Sequence, residues 1–138
     1  TNQDTTVDQL GTYNFSIANK RVTEENAAVK FLNPNHKLLN FPNKITAKDF
    51  QGWKQEQGLY YPNEFDKAFT PILSSNDKGE SPKNGALLIA PFGKGHYIYT
   101  GLSFFRELPE GVTGAYKLIS NIISLQSSEK IPVQKIKP

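Results

Sequence analysis

The chain has no cysteine, no methionine and only two arginines, Arg21 and Arg106, among its 138 residues. Without cysteine there can be no disulfide, no thiolate metal site and no cysteine nucleophile. The compartment stays open, since cysteine-free proteins occur on both sides of a membrane. The absence of methionine predicts a processed form or a fragment of a longer protein, whose missing N-terminal part could hold the function.

Long apolar runs are missing too. No segment approaches the roughly 18 apolar residues of a membrane span, and no charged start followed by an apolar run marks a signal peptide. A soluble chain is expected. The scarcity of arginine bears on partners: the net charge of +3 and the pI near 9.0 come from lysines scattered among acids, with a basic bias only in the tail "SEKIPVQKIKP". Nucleic-acid binding needs clustered cations, ideally interleaved with exposed aromatics, so no nucleic-acid partner is expected.

What is present is a folding composition, with 37% hydrophobic residues and nine Phe, six Tyr and one Trp. The length suits one domain with a real core. Alternating Tyr13, Phe15 and Ile17 predict a half-buried strand, and a turn followed by a second strand is expected over 28–32, stopped by Pro34. Thr46, followed by Ala47, Lys48 and Asp49, predicts a capped helix of one to two turns ending near Gly52. "LYYP" fits a brief strand closed by Pro62, and a further strand lies around Ile72 and Leu73. The Ser/Asn/Asp/Gly/Pro-rich stretch after it marks an exposed loop.

"ALLIA" reads as a central strand covered on both faces. "PFGKG" and "HYIYTGL" read as a turn and the next strand. Ala115, Leu118, Ile119, Ile122 and Leu125 stand at helical spacing and predict a helix lying against the sheet. The fold class is therefore α+β, a mixed, largely antiparallel sheet with a C-terminal amphipathic helix. Residues 1–126 form a single domain or domain fragment and 127–138 a loose basic tail.

The stretch "FGKGHYIYTGLSFF" is the natural place to look for chemistry. A phosphate loop needs lysine followed directly by Ser or Thr at a helix start, whereas Lys94 is followed by Gly95, His96 and a β-branched, aromatic strand. A hairpin fits better, with Gly93 and Gly95 free to take positive φ and Lys94 at the solvent tip. Ser103 lacks the G-x-S-x-G elbow of a nucleophile, so Thr100 and Ser103 are expected to satisfy backbone groups at a strand end.

His36 and His96 lack zinc-ligand spacing, and no metal or other cofactor is expected. The carboxylates Asp49, Glu56, Glu64, Asp66, Asp77 and Glu80 fall in the loop-rich middle. No spacing singles out a catalytic pair among them.

"GWKQEQGLYYPNEF" is the densest unusual feature. Exposed, Trp53, Tyr60, Tyr61 and Glu64 would make a ligand surface able to stack on a sugar ring. Buried, the aromatics are core under a long loop, the state in which most aromatics are found.

Two stretches, "ITAKDFQGWKQEQGLYYPNEFDKAFTPILSSNDKGE" and "GKGHYIYTGLSFFRELPEGVTGAYKLISNIISL", resemble the C-terminal region of large bacterial deacetylases of the PIG-L (LmbE-like) family. There a zinc-dependent N-deacetylase domain is followed by others, the last similar to a class I glutamine amidotransferase-like α/β domain. The resemblance runs from about Gly11 to Leu125 and is most specific from Tyr97 to Tyr116. "NPNHKLLN" also looks like the "HP" turn of amidotransferase-like and ThuA-like domains, with Lys37 where proline is usual.

The deacetylase's A-H-P-D-D-type zinc motif has no counterpart here, and the Cys-His-Glu triad of an amidotransferase lacks its cysteine. The resemblance thus implies the C-terminal part of an amidotransferase-like domain, a noncatalytic accessory module in a secreted or periplasmic parent. Its implied partner is the N-terminal part of that parent; a glycan is the partner that the exposed reading of the 53–65 segment would add.

Overall fold

The computed structural model describes residues 5–10 and 13–136, with side chains over 13–125. The architecture is α+β, with two antiparallel sheets and one long C-terminal helix. Strands β1 (Thr5–Leu10), β2 (Tyr13–Val22) and β4 (Gly58–Phe65) form the first sheet in the order β1-β2-β4. Strands β3 (Ala28–Phe31), β5 (Thr70–Asn76), β6 (Lys83–Phe92) and β7 (Gly95–Thr100) form the second, in the order β3-β5-β6-β7. After β7 come a single helical turn, α1 (Phe104–Glu107), and α2 (Thr113–Ile136). The tail expected over 127–138 lies outside the residues whose side chains are described.

Strand β6 explains the layering. Successive side chains of a strand point to opposite faces. Leu87 and Ile89 enter the larger core with Leu38, Phe50, Trp53 and Leu118, while Leu88 and Ala90 enter a smaller core with Phe15 and Phe69. Every residue from Gly85 to Ala90 is buried, as the uninterrupted apolar run demands. Each fully buried leucine contributes about 1.5–3 kcal/mol relative to an exposed one.

Two strands outrun their sequence signals. β2 continues through the polar stretch after Ile17 to Val22, and β4 runs past Pro62 to Phe65. Pro62 falls on an edge strand of its sheet, opposite Ile17 and beside register irregularities, the places where a sheet accommodates proline. Irregularities in the β2–β4 register absorb the mismatch between the two strands.

The capped turn at Thr46 is present as a 3₁₀ segment, Ala47–Phe50, whose capping box joins the Thr46 N–H to Asp49 Oδ2 at 2.7 Å. On α2, Ala115, Leu118 and Leu125 are buried at the expected spacing, with Ile119 and Ile122 packed beside them. Asn121 is fully buried on the same helix. Its amide nitrogen donates to the carbonyls of Leu38 and Asn43 at 2.8 Å each, and its oxygen accepts from the Asn43 N–H at 2.9 Å. One polar side chain thus ties the 37–45 loop to α2. No helix among the described residues is long and apolar enough to cross a membrane.

Candidate functional site

The segment from Trp53 to Phe65 divides by burial. Trp53 lies in the larger core against Phe50 and Phe104, with ring centroids at 5.7 and 6.1 Å, and its indole N–H donates to the Asp49 carbonyl at 2.9 Å. Tyr61 is wholly buried, and that burial pushes its phenol well above the ordinary tyrosine range. A ligand surface made of Trp53, Tyr60, Tyr61 and Glu64 together is therefore corrected: the core takes Trp53 and Tyr61, and solvent meets Tyr60 and Glu64.

Tyr60 is 55% exposed and holds a left-handed backbone, φ +56°. A bulky residue there carries strain of about 1–3 kcal/mol that surrounding structure must over-determine. Its carbonyl accepts a hydrogen bond from the Tyr99 hydroxyl at 2.5 Å, and its neighbour Leu59 donates its N–H to the Gly101 carbonyl at 2.8 Å. Gln55, φ +64°, is the other non-glycine residue with positive φ among the described residues.

Between these two strained positions sits Glu56. Arg106 Nη2 lies 2.9 Å from its Oε1 and Arg21 Nη1 3.6 Å from its Oε2, so the chain's only two arginines meet one nearly buried carboxylate. Arg106 also donates to the Gln55 side chain, and the Gln55 N–H donates to Glu25. Beneath them Glu107, fully buried, accepts from the Lys54 N–H at 2.6 Å. Burial raises its carboxyl above the ordinary range, against the pull of that N–H and of Ser103.

The hydroxyls and histidines are in structural use. Ser103 Oγ lies 2.6 Å from the Glu56 carbonyl, 3.0 Å from that of Gln57 and 3.1 Å from Glu107 Oε2. Thr100 Oγ1 donates to the Ala86 carbonyl at 2.7 Å and accepts from the Leu102 N–H at 3.1 Å. His36 caps the 3₁₀ turn Lys37–Leu39, its Nδ1 accepting from the Leu38 N–H at 3.1 Å. Burial and the proximity of His96 lower its pKa, so the fold brings together two histidines that sequence keeps far apart.

In the hairpin Gly93 takes φ +58° and Lys94 is exposed at the tip, while Gly95 already pairs with Phe92 in the ladder. Comparison with protein-family models, with curated proteins and with solved structures gives no match.

The loop carboxylates scatter. Asp49 pairs with Lys117 at 3.0 Å. Asp77 accepts from the N–H groups of Thr23 and Glu24 and from the Thr23 hydroxyl; burial alone would raise its carboxyl, and these bonds hold it below the ordinary range. No three His, Cys, Asp or Glu side chains gather into a metal-binding group among the described residues.

Two open clefts flank Phe65 instead. One, about 550 Å³, has Asn14, Ser16, Glu64, Asp66 and Lys67 in its wall. The other, about 480 Å³, lies where β2 and β4 meet the β5–β6 connection, with Lys20, Asn63, Glu80, Lys83 and Asn84. Sequence reasoning passes over Lys20 and Asn84, and takes Asn63 only as a polar neighbour of the 53–65 aromatics. The available signal was weak: polar residues next to a strand-ending Pro62 and inside a Ser/Pro/Asn loop.

Proposed function

We propose that this chain is a noncatalytic accessory module of a PIG-L-type N-deacetylase, similar to the C-terminal part of an amidotransferase-like domain. The observation that supports it is the state of the side chains best suited to chemistry. Ser103, Glu56, Glu107, Asp49 and His36 are each engaged in bonds that fasten one segment to another. A catalytic group needs a reacting atom within reach, whereas these groups are aimed at the protein's own backbone and at Arg21, Arg106 and Lys117. Assays of the purified chain for hydrolysis of N-acetyl sugars and of glutamine test it. No turnover above background is expected, and turnover at enzyme rates would overturn the proposal.

Recognition of a glycan by the 58–65 strand is the second reading, favoured by the strained, exposed Tyr60. Strain in a sparsely populated backbone region persists where structure enforces it and concentrates at binding sites. An aromatic ring held outward beside Asn63 and Glu64 has the mixed character that saccharides meet, an apolar face with polar neighbours. Calorimetric titration with oligosaccharides, comparing the chain with Tyr60→Ala, tests this reading. Trp53→Ala is the wrong control, because removing a core indole costs about 3–5 kcal/mol of stability.

A further inference from the structure

We propose that the cleft between the β2–β4 edge and the β5–β6 connection binds an acidic saccharide, with Lys20 receiving the sugar carboxylate. This rests on the glycan reading and names its ligand class. The cleft's volume of about 480 Å³ lies within the range of small-molecule sites, about 300–1,000 Å³.

Its charges decide the ligand. Lys83 Nζ is 3.0 Å from Glu80 Oε2, so that ammonium is already compensated. Lys20 Nζ has only the neutral Asn63 Oδ1 at 2.9 Å and no carboxylate within ion-pair distance among the described residues. The cleft therefore holds one positive charge in excess. A singly charged carboxylate balances it. A phosphate dianion would overshoot and face Glu80, and the site has neither an arginine nor a helix N-terminus to offset that.

Its neutral groups favour a sugar over a simple acid. The amides of Asn63 and Asn84 each carry donors and an acceptor, matching hydroxyl groups that both donate and accept. Neither Asn84's side chain nor the Asn63 amide nitrogen has a hydrogen-bond partner among the described residues. Half-buried Phe65, braced by Phe69 at 6.3 Å between ring centroids, supplies an apolar wall for the C–H face of a pyranose ring.

The test is calorimetric titration with methyl galacturonide, which carries one carboxylate, its methyl ester, methyl galactoside and sodium acetate at matched ionic strength. The free acid is expected to bind, with the ester weaker by about tenfold, the worth of one charge-assisted hydrogen bond. Lys20→Gln should lower affinity for the acid to that of the ester, Asn84→Ala should weaken both, and thermal unfolding should be unchanged in either variant. Equal binding of acid and ester, or an affinity indifferent to Lys20, overturns this inference while leaving glycan recognition standing. Acetate competing as well as the saccharide makes the cleft a plain anion site and also overturns it. Absence of binding by all three saccharides removes both the inference and the glycan reading.

Discussion

Arg106 holds Glu56 at 2.9 Å, with the carboxylate only 12% exposed and the guanidinium 32%. This pair closes the gap between α1 and the turn that leads into β4. Cutting it should be costly, because removing one partner leaves a poorly hydrated charge behind. Glu56→Ala is expected to lower unfolding stability by about 3 kcal/mol, at the lower end for a broken buried pair. Arg21→Ala should cost less than about 1 kcal/mol, since that guanidinium is 53% exposed and 3.6 Å away. Urea denaturation of both variants checks the ranking, and a loss from Arg21→Ala as large as that from Glu56→Ala would overturn it.

Glu107 gives a pH signature of the opposite sign to most carboxylates. Its folded pKa is raised by burial, so the folded state favours the protonated acid. The stability linked to this group is full below the unfolded pKa, about 4.3, and is lost as pH rises through the folded value. Glu107→Gln keeps an acceptor for the Lys54 N–H and removes the charge. That variant is expected to gain on the wild type as pH climbs from 4 to 8, and to match it most closely at the acid end. Glu107→Leu strands the Lys54 N–H, while the Ser103 hydroxyl keeps the Glu56 carbonyl, and should lose about 1–3 kcal/mol at every pH. Thermal unfolding across that pH range separates the two effects.

How far the sequence reveals this molecule depends on how local the deciding interactions are. The β6–β7 hairpin, the Thr46 cap and the α2 stripe were legible because a glycine at the bend, an Asp three residues past a Thr, and apolar spacing act within a few residues. β4 was read too short because Pro62 normally stops a strand, and only the sheet order shows that it sits at an edge. Gln57 stands among polar residues in the sequence, yet it is fully buried, donating to the Ala27 carbonyl at 3.0 Å and accepting from the Ser75 hydroxyl. Its partners come from β5 and from the connection before β3, and no local pattern announces them. The convergence of Arg21 and Arg106 on Glu56 was hidden for the same reason. The scarcity of arginine was visible, but not its consequence.

His36 should make the 37–45 loop sensitive to mild acid. Its Nδ1 must stay unprotonated to accept from the Leu38 N–H, and burial and nearby His96 both disfavour the charged form. The folded pKa is depressed, so the contribution is full above the unfolded value, about 6.5, and fades as pH falls below it toward the folded value. Asn is a good cap that does not titrate. His36→Asn is therefore expected to flatten the stability profile between pH 7 and 5 while changing stability at pH 8 by no more than about 1 kcal/mol. Amide exchange at Leu38 as a function of pH reads the cap directly. Acid-induced exchange that persists in the Asn variant would place the sensitivity elsewhere.

Gly114 is the position where one methyl group should do the most damage. A Cβ there would lie 1.7 Å from the Asp49 carbonyl oxygen and 2.4 Å from its carbonyl carbon, both backbone atoms that cannot swing aside. Helix α2 would have to lift off the Ala47–Phe50 turn. That movement would strain the Lys117–Asp49 pair and shift the Asp49 carbonyl that receives the Trp53 indole. Helix propensity alone favours Ala over Gly by about 1 kcal/mol. Overpacking typically costs about 1–3 kcal/mol, occasionally more, and here it should outweigh that gain because the obstacle is main chain. Gly114→Ala is expected to lower the unfolding midpoint and to shift tryptophan fluorescence to the red as Trp53 meets water. Ala47→Gly, a change at an exposed position of the same turn, should leave the fluorescence unchanged. A Gly114→Ala protein with wild-type stability and emission would show that α2 and the turn are free to slide past each other.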